Sequence, residues 1–451
     1  MRRVPVVLTI LTLLLFTCAH RNEKRVIFIG LDGADWRLLD RFVADATMPQ
    51  LGAILEHAER RVLLTQHPPL SPLVWTTMMT GVSPLRHRIL DFTRYSPATR
   101  AQEPITSDER AVPAIWNMAA SHGKRVGVFG MWATYPPEPG IVLTDRDLPR
   151  DYVAATELIH SKARAWIRAN EPDLAIVYFQ GTDEIGHFTS GDVEKSRAYF
   201  HRIDEILGDY RALAEELHAQ LVIASDHGFD WGGKHDESST ATATAAKWHR
   251  NEGIFVRWPH AKAIKEPMRV DQICSTLLEI LDMHGGAAPA SGADLSRESG
   301  GRSGRRSTGD EQVAKLKALG YLSSTAPAPK TTTGTRTPQS FNNEGLILRE
   351  TGRDDAAERA FMQALTLDPN YASAKQNLDD LLAKRGIEKL RARDCKGAVA
   401  DLRRVAKESA LLWASIAAAE GCLGNDRAAE DAVRRSLALN PNQPELRRLV
   451  D

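Results

Sequence analysis

Cysteine is scarce in this chain, at four among 451 residues. No disulfide framework can therefore hold it together, and it must fold by burying apolar surface. Cys274 stands among Val270, Ile273, Leu277 and Leu278 at helical spacing, which predicts a buried, inert thiol. Spacing alone leaves open whether Cys395 and Cys422 pair. An excess of charge is also lacking, since 58 basic and 58 acidic residues cancel. That balance gives no basic surface for a nucleic acid. Nor does any apolar run reach the ~20 residues that carry a helix across a bilayer. At 49.8 kDa the chain is too long for one ordinary core and should hold two or more domains.

What is present begins with Met1-Arg2-Arg3, an apolar stretch from Val4 to Phe16, and the small residues Thr17-Cys18-Ala19. A charged start, apolar middle and small-residue end predict an export signal over residues 1–19. Leu15-Phe16-Thr17-Cys18 resembles a bacterial lipoprotein signal, which would leave a lipid on Cys18. Plain cleavage and an uncleaved anchor are the other two outcomes. All three place the protein outside the cytoplasm, in the periplasm or cell envelope, and touch a membrane only through that lipid or anchor.

Short apolar runs then alternate with helical patterns, the signature of an α/β domain with a mostly parallel sheet, taken as residues 24–295. Strand candidates are Arg25 to Leu31, Arg125 to Phe129, Leu174 to Phe179, Leu221 to Ala224 and Gly253 to Val256, and Val270 to Met283 reads as a closing amphipathic helix. Residues 296–338 turn to Gly, Ser, Thr, Pro and Arg and read as a flexible linker, interrupted by a short helix over 311–322. Residues 339–451 contain an internal repeat. Gly352 to Asn370 matches Gly424 to Asn442, with Ala357, Ala360, Leu365 and Pro369 answered by Ala429, Ala432, Leu437 and Pro441. The offset of 72 positions is close to two periods of a ~34-residue unit, and Arg393 to Ala406 holds a weaker middle copy. This segment resembles the tetratricopeptide repeat, an all-α helix pair whose stacks bind protein or peptide partners or serve as packing modules.

Chemistry gathers behind three strands. Asp32, Asp183 and Asp226 each follow an apolar run, with His187 four residues after Asp183 and His227 beside Asp226. A lone Asp after a strand is ordinarily a cap or turn former. Three in series, in a fold that gathers ligands beyond the carboxyl ends of its strands, point instead to converging Asp and His side chains and a metal site. Ser71-Pro72 is a helix-start signal, serine as cap and proline as first helical residue, and a helix start also favours an anion. His87 is expected to pack or hydrogen-bond and His260 to lie in a loop; Thr182 and Glu184, flanking Asp183, are either supports of the site or turn formers, the second being preferred.

Gly30-Leu-Asp-Gly33, Ser71 ahead of Thr80-Gly81-Val-Ser-Pro84-Leu-Arg-His87, Gly181-Thr-Asp183-Glu-Ile-Gly-His187 and Ser225-Asp226-His227-Gly228 occur in that order. The set resembles the type I phosphodiesterase and nucleotide pyrophosphatase branch of the alkaline phosphatase superfamily. The resemblance implies an alkaline-phosphatase-like three-layer α/β domain carrying two divalent metal ions, zinc or else manganese. One ion would be held by Asp32, Asp226, His227 and the Ser71 oxygen, the other by Asp183, His187 and a third histidine. That third ligand is assigned to His249, just ahead of a late strand, with His235 as its rival. Ser71 would attack phosphorus, pass through a phosphoserine and be released by water. Relatives often carry threonine as nucleophile, asparagine at the position of Val74, and glycine at that of Arg88. The expected activity is hydrolysis of a phosphoester. An inactive exported scaffold acting through its repeats is the alternative reading. A phosphomonoesterase or sulfatase of the same superfamily is a further one, although Pro72 and Trp75 break the sulfatase pattern.

Overall fold

In the computed structural model, residues 24–96, 99, 101–232, 248–260, 264, 266–283, 306–319 and 335–448 are described, those of 306–310 by backbone only. The export signal with Cys18, His235 and most of the linker lie outside the described residues.

An eight-stranded sheet is the frame. In chain order its strands are β1 (Val26–Leu31), β2 (Glu59–Leu64), β3 (Val126–Phe129), β4 (Ile141–Leu143), β5 (Leu174–Phe179), β6 (Gln220–Ala224), β7 (Glu252–Trp258) and β8 (Met268–Arg269). They lie side by side in the order β8-β2-β7-β6-β1-β5-β3-β4. β1 pairs in parallel with β5 and β6, while β7 runs antiparallel to both β6 and β2. The expected strand at Gly253 to Val256 is therefore present but reversed.

The strands are apolar on both faces because helices cover both. Val26, Phe28, Leu174, Ile176 and Tyr178 point into one core layer, and Ile27, Ile29, Leu31, Ala175, Val177 and Phe179 into the other. This period-two division makes a three-layer domain. The first layer is built with helix α1 (Ser71–Thr80), and the second with α2 (Tyr152–Asn170), and α4 (Val193–Leu217), which follows the short α3 (Gly181–Thr189). The closing helix is shorter than its pattern, α5 (Ile273–Ile280) after a 3-10 turn, and Cys274 is buried in it with its thiol pushed up to about 12 by burial.

Helix α6 (Arg306–Ala318) begins and ends earlier than 311–322, and it packs on the sheet domain through Leu316 and Leu319. Beyond it run three helix pairs: α7 (Pro338–Glu350) with α8 (Asp354–Leu367), α9 (Ala372–Arg391) with α10 (Cys395–Leu402), and α11 (Ala410–Cys422) with α12 (Asp426–Leu439). α8 and α12 occupy the matching segments of the repeat and stop two residues before Pro369 and Pro441, which cannot continue a helix. Ala357 and Ala360 are buried where α7 crosses, and Phe361 fills the space opposite Gly345. Asn343 donates to the Leu90 carbonyl and Tyr95 N–H to that of Thr335, so the array is fastened to the sheet domain.

Arg88 adopts φ +73, the left-handed region where glycine alone is free of strain, so the glycine that the resemblance implies at this position would sit there without strain.

Cys395 and Cys422 form a disulfide that ties α10 to the end of α11 across 27 positions. Closing a loop of that length stabilises by about 3.5 kcal/mol through the unfolded chain. Mild reduction should therefore lower the melting temperature, read by differential scanning calorimetry.

Candidate active site

Three adjacent strands explain why residues far apart in sequence meet. β5, β1 and β6 are neighbours, and Asp32 follows β1, Asp183 follows β5 and Asp226 follows β6. Because β7 is antiparallel to β6, the residues before it reach the same edge that the others reach after their strands. His249 arrives in this way, its short strand pairing with Phe229 and Gly228. The helical spacing of α3 puts Asp183 and His187 on one face, four residues apart.

Two groupings result. The ligating atoms of Asp32, Asp226 and His227 lie within 4.8 Å of one another, and so do those of Asp183, His227 and His249. His227 Nε2 is 3.4 Å from Asp32 Oδ1 and 3.3 Å from Asp226 Oδ2. His187 Nε2 is 3.3 Å from Asp183 Oδ2, and His249 Nε2 is 3.5 Å from Asp183 Oδ1. The His187 and His249 Nε2 atoms stand 3.3 Å apart, and the rings of His227 and His249 stack at 3.7 Å. His227 therefore sits between both groups.

Ser71 Oγ lies 3.3 Å from Asp32 Oδ1, in a fully buried setting. The structure corrects the capping expectation. Leu70 is the cap residue of α1, Ser71 the first helical position and Pro72 the second, and the Ser71 hydroxyl caps nothing. The Leu73 and Val74 N–H groups already bond the Leu70 carbonyl, and Pro72 has no N–H, so the helix start acts on an anion through its field and the Ser71 N–H.

Several supporting groups escaped the sequence reading. Trp75 Nε1 donates to Asp32 Oδ2 at 3.2 Å, and the Tyr178 hydroxyl donates to the same oxygen. Trp75 is four residues after Ser71 and Tyr178 lies in register with Leu174 and Ile176, so periodicity held a signal for both. Thr182 and Glu184 are more than turn formers. Thr182 Oγ1 donates to the Asp32 carbonyl at 2.6 Å, and Glu184 is a buried partner of Lys315. His249 is oriented by its Nδ1, 2.7 Å from the Pro69 carbonyl. Gly33, at φ +63, leaves no room for a Cβ, which would stand 2.9 Å from Asp183 Oδ1, and its N–H donates to Asp226 Oδ1.

His87 stays outside the cluster. It is buried, takes the Ile89 N–H on Nδ1 and meets Thr77 Oγ1 at 3.0 Å, and burial pushes it down to about 3. His260 lies 3.7 Å from Glu59, away from the site.

Crowding dominates the electrostatics. Burial, then Asp226 and Asp183, hold the Asp32 carboxyl well above its usual range. Burial and Asp183 push Asp226 up to about 7. Burial would raise Asp183 as well, but His187 and His249 outweigh it and hold the group well below its usual range. Burial and the neighbouring His249 keep His227 neutral, the form that binds metal. Asp226 Oδ2 and His227 Nε2 are buried without a hydrogen bond. Unsatisfied anionic and imidazole groups so close together fit divalent cations with N/O ligands.

Residues 26–286 match the family model described as type I phosphodiesterase / nucleotide pyrophosphatase, and residues 338–371 match a tetratricopeptide repeat. No curated protein matches the chain. Among solved structures, murine ectonucleotide pyrophosphatase/phosphodiesterase 5 in complex with AMP is similar at 15% identity, over 58% of this chain and 95% of that one, with a TM-score of 0.44. Its human counterpart gives 14%, 57%, 95% and 0.44. Phosphonoacetate hydrolase from Sinorhizobium meliloti 1021 is similar at 18% identity over 47% of this chain and 58% of that one, with a TM-score of 0.38.

The raised carboxyls have a consequence for metal-free protein. Asp226 holds a proton in the folded state up to about pH 7, whereas the unfolded group releases it near the ordinary aspartate value of 3.8. Its stabilising effect is present below the unfolded value and is lost as pH rises through the folded one. After chelation, melting should occur several degrees higher at pH 5 than at pH 8, since a tenfold difference in proton affinity between the two states is worth about 1.4 kcal/mol. Saturating zinc should abolish most of that slope and release protons into a weakly buffered solution. Equal slopes with and without metal would refute this.

Proposed function

This chain belongs to the type I phosphodiesterase / nucleotide pyrophosphatase family, and on that footing we propose that it is a metal-dependent hydrolase of phosphoester bonds with Ser71 as nucleophile. The observation that carries the reading is the placement of the buried Ser71 hydroxyl 3.3 Å from Asp32, beside the Asp32, Asp226, His227 and Asp183, His187, His249 side chains.

In this reading Asp32, Asp226 and His227 hold one cation and Asp183, His187 and His249 the other, with zinc or manganese suited to such donors. When bound, the cations neutralise the carboxylates, lower the pKa of the serine hydroxyl and stabilise charge on the reacting oxygens. The protein's own residues do the rest. Trp75, Tyr178 and Thr182 fix Asp32, which positions the Ser71 hydroxyl. Ser71 Oγ forms a bond to phosphorus and loses its proton, while the bond to the ester oxygen breaks and that oxygen leaves as an alcohol. Water then cleaves the phosphoserine and restores the hydroxyl. The buried surroundings of Ser71 exclude bulk water and strengthen each of these electrostatic effects.

Export fits the same picture, because a disulfide such as Cys395–Cys422 persists in an oxidising compartment. Residues 1–19 would direct it there, and the helical repeats would receive a protein or peptide partner.

A screen of chromogenic mono- and diesters with added zinc or manganese tests the reading. Wild-type protein should turn over at least one ester, and Ser71→Ala and Asp183→Ala should each lose ~1,000-fold or more in kcat/KM with the fold intact. Unchanged turnover in Ser71→Ala would remove the covalent step.

A further inference from the structure

The family match ends at residue 286, yet the cavity that holds Asp32, Ser71 and Asp183 takes one wall from beyond it. Helix α6 brings Gln312, Lys315 and Leu316 to that cavity, and Leu319 follows directly. Two interactions fix the wall. Lys315 Nζ lies 2.6 Å from Glu184 Oε1, with the lysine 12% and the glutamate 4% exposed, and Glu184 is the residue after Asp183. Removing one partner of so buried a pair leaves an uncompensated charge, which disfavours undocking of the helix. Leu316 and Leu319 are buried in the same core layer as Met131 and Trp132. The helix is thus built into the site and is not a loose tail on it.

Space and polarity then restrict what the cavity accepts. With α6 docked the cavity is narrow and partly open to solvent, its apolar walls being Trp132, Leu316 and Leu319. A phosphoryl group with a compact organic substituent suits such a space better than a fused aromatic system does. The lining side chains also hold buried polar atoms without hydrogen-bond partners: Gln180 Nε2 and Arg146 Nε as donors, Asp145 Oδ2, Glu184 Oε2 and Gln312 Oε1 as acceptors. Hydroxyl groups can give to the acceptors and accept from the donors, whereas a hydrocarbon substituent would leave all of them unsatisfied.

We propose that α6 is the specificity-determining wall of this site and selects phosphoesters of a compact, polyhydroxylated alcohol, with Gln312 and Glu184 accepting hydrogen bonds from its hydroxyls. The proposal rests on the hydrolase reading, and its test is arranged to fail separately.

Calorimetric titration of the metal-loaded full chain with inorganic phosphate, 2,3-dihydroxypropylphosphonate, butylphosphonate and naphthylmethylphosphonate measures selection without turnover. Wild-type protein should bind the dihydroxypropyl compound about tenfold more tightly than the butyl one, the effect of about 1.4 kcal/mol of satisfied hydrogen bonding. Gln312→Leu should shrink that ratio by about fivefold or more, a change a merely structural role would not produce because it would weaken all ligands alike. Leu316→Ala, with its fold checked by melting, should improve naphthylmethylphosphonate relative to phosphate. Should Leu316→Ala fail to fold, Gln312→Ala, at a partly exposed position, gives the size test alone. Equal binding of the dihydroxypropyl and butyl compounds, or a ratio unmoved in Gln312→Leu, overturns the proposal while leaving the hydrolase intact. Absence of any phosphate or phosphonate binding, together with no ester turnover, overturns both.

Discussion

Mutual repulsion among the buried carboxylates of Asp32, Asp183 and Asp226 is the constraint around which the sheet domain is arranged. Burial raises two of them, and two histidines hold the third ionised. Such a cluster is tolerable where each group is tethered. Asp32 is gripped by Trp75, Tyr178 and, through its carbonyl, Thr182; Asp226 is met by the Gly33 N–H. The tethers explain why the strand ends, the start of α1 and the first turn of α3 are all buried, although loops and helix ends normally face solvent.

Sheet order supplies the geometry that the tethers refine. The central position of β1 between β5 and β6 brings three strand ends together, and the reversed β7 adds His249 from the opposite chain direction. Pro69 then sets the histidine's ring by accepting from Nδ1, a partner that fixes which nitrogen faces Asp183. A helix from beyond the family match closes the cavity, and the repeats are fastened to the Leu90 to Tyr95 segment that follows α1, with Ile347 of α7 in the core layer of Trp75. Three parts of the chain thus share one continuous packed layer.

Much of this was legible in the residues themselves. The strands at β1, β5 and β6 read clearly because strands covered on both faces are apolar throughout, and the aspartates that follow them stood out against those runs. The repeat was equally plain, as α8 and α12 carry the same alanines and prolines at the same offsets. Ser71 was recognised by its neighbours, yet its role as a cap was misread, because a Ser-Pro pair favours two registers of a helix start and only the Leu70 backbone angles distinguish them. Glu184 passed for a turn former because its partner, Lys315, is remote in the chain, on a short helix set within a linker.

The sequence by itself determined the layered α/β class, the repeat and the candidate Asp and His side chains behind the strands, since periodicity and residue chemistry are local properties. Tertiary structure alone decided that His227 lies between both clusters, that β7 runs backwards, that Cys395 meets Cys422, and that α6 walls the cavity. Each of those depends on a contact between segments distant in the chain, whose approach is fixed by packing and not by any pattern within either segment.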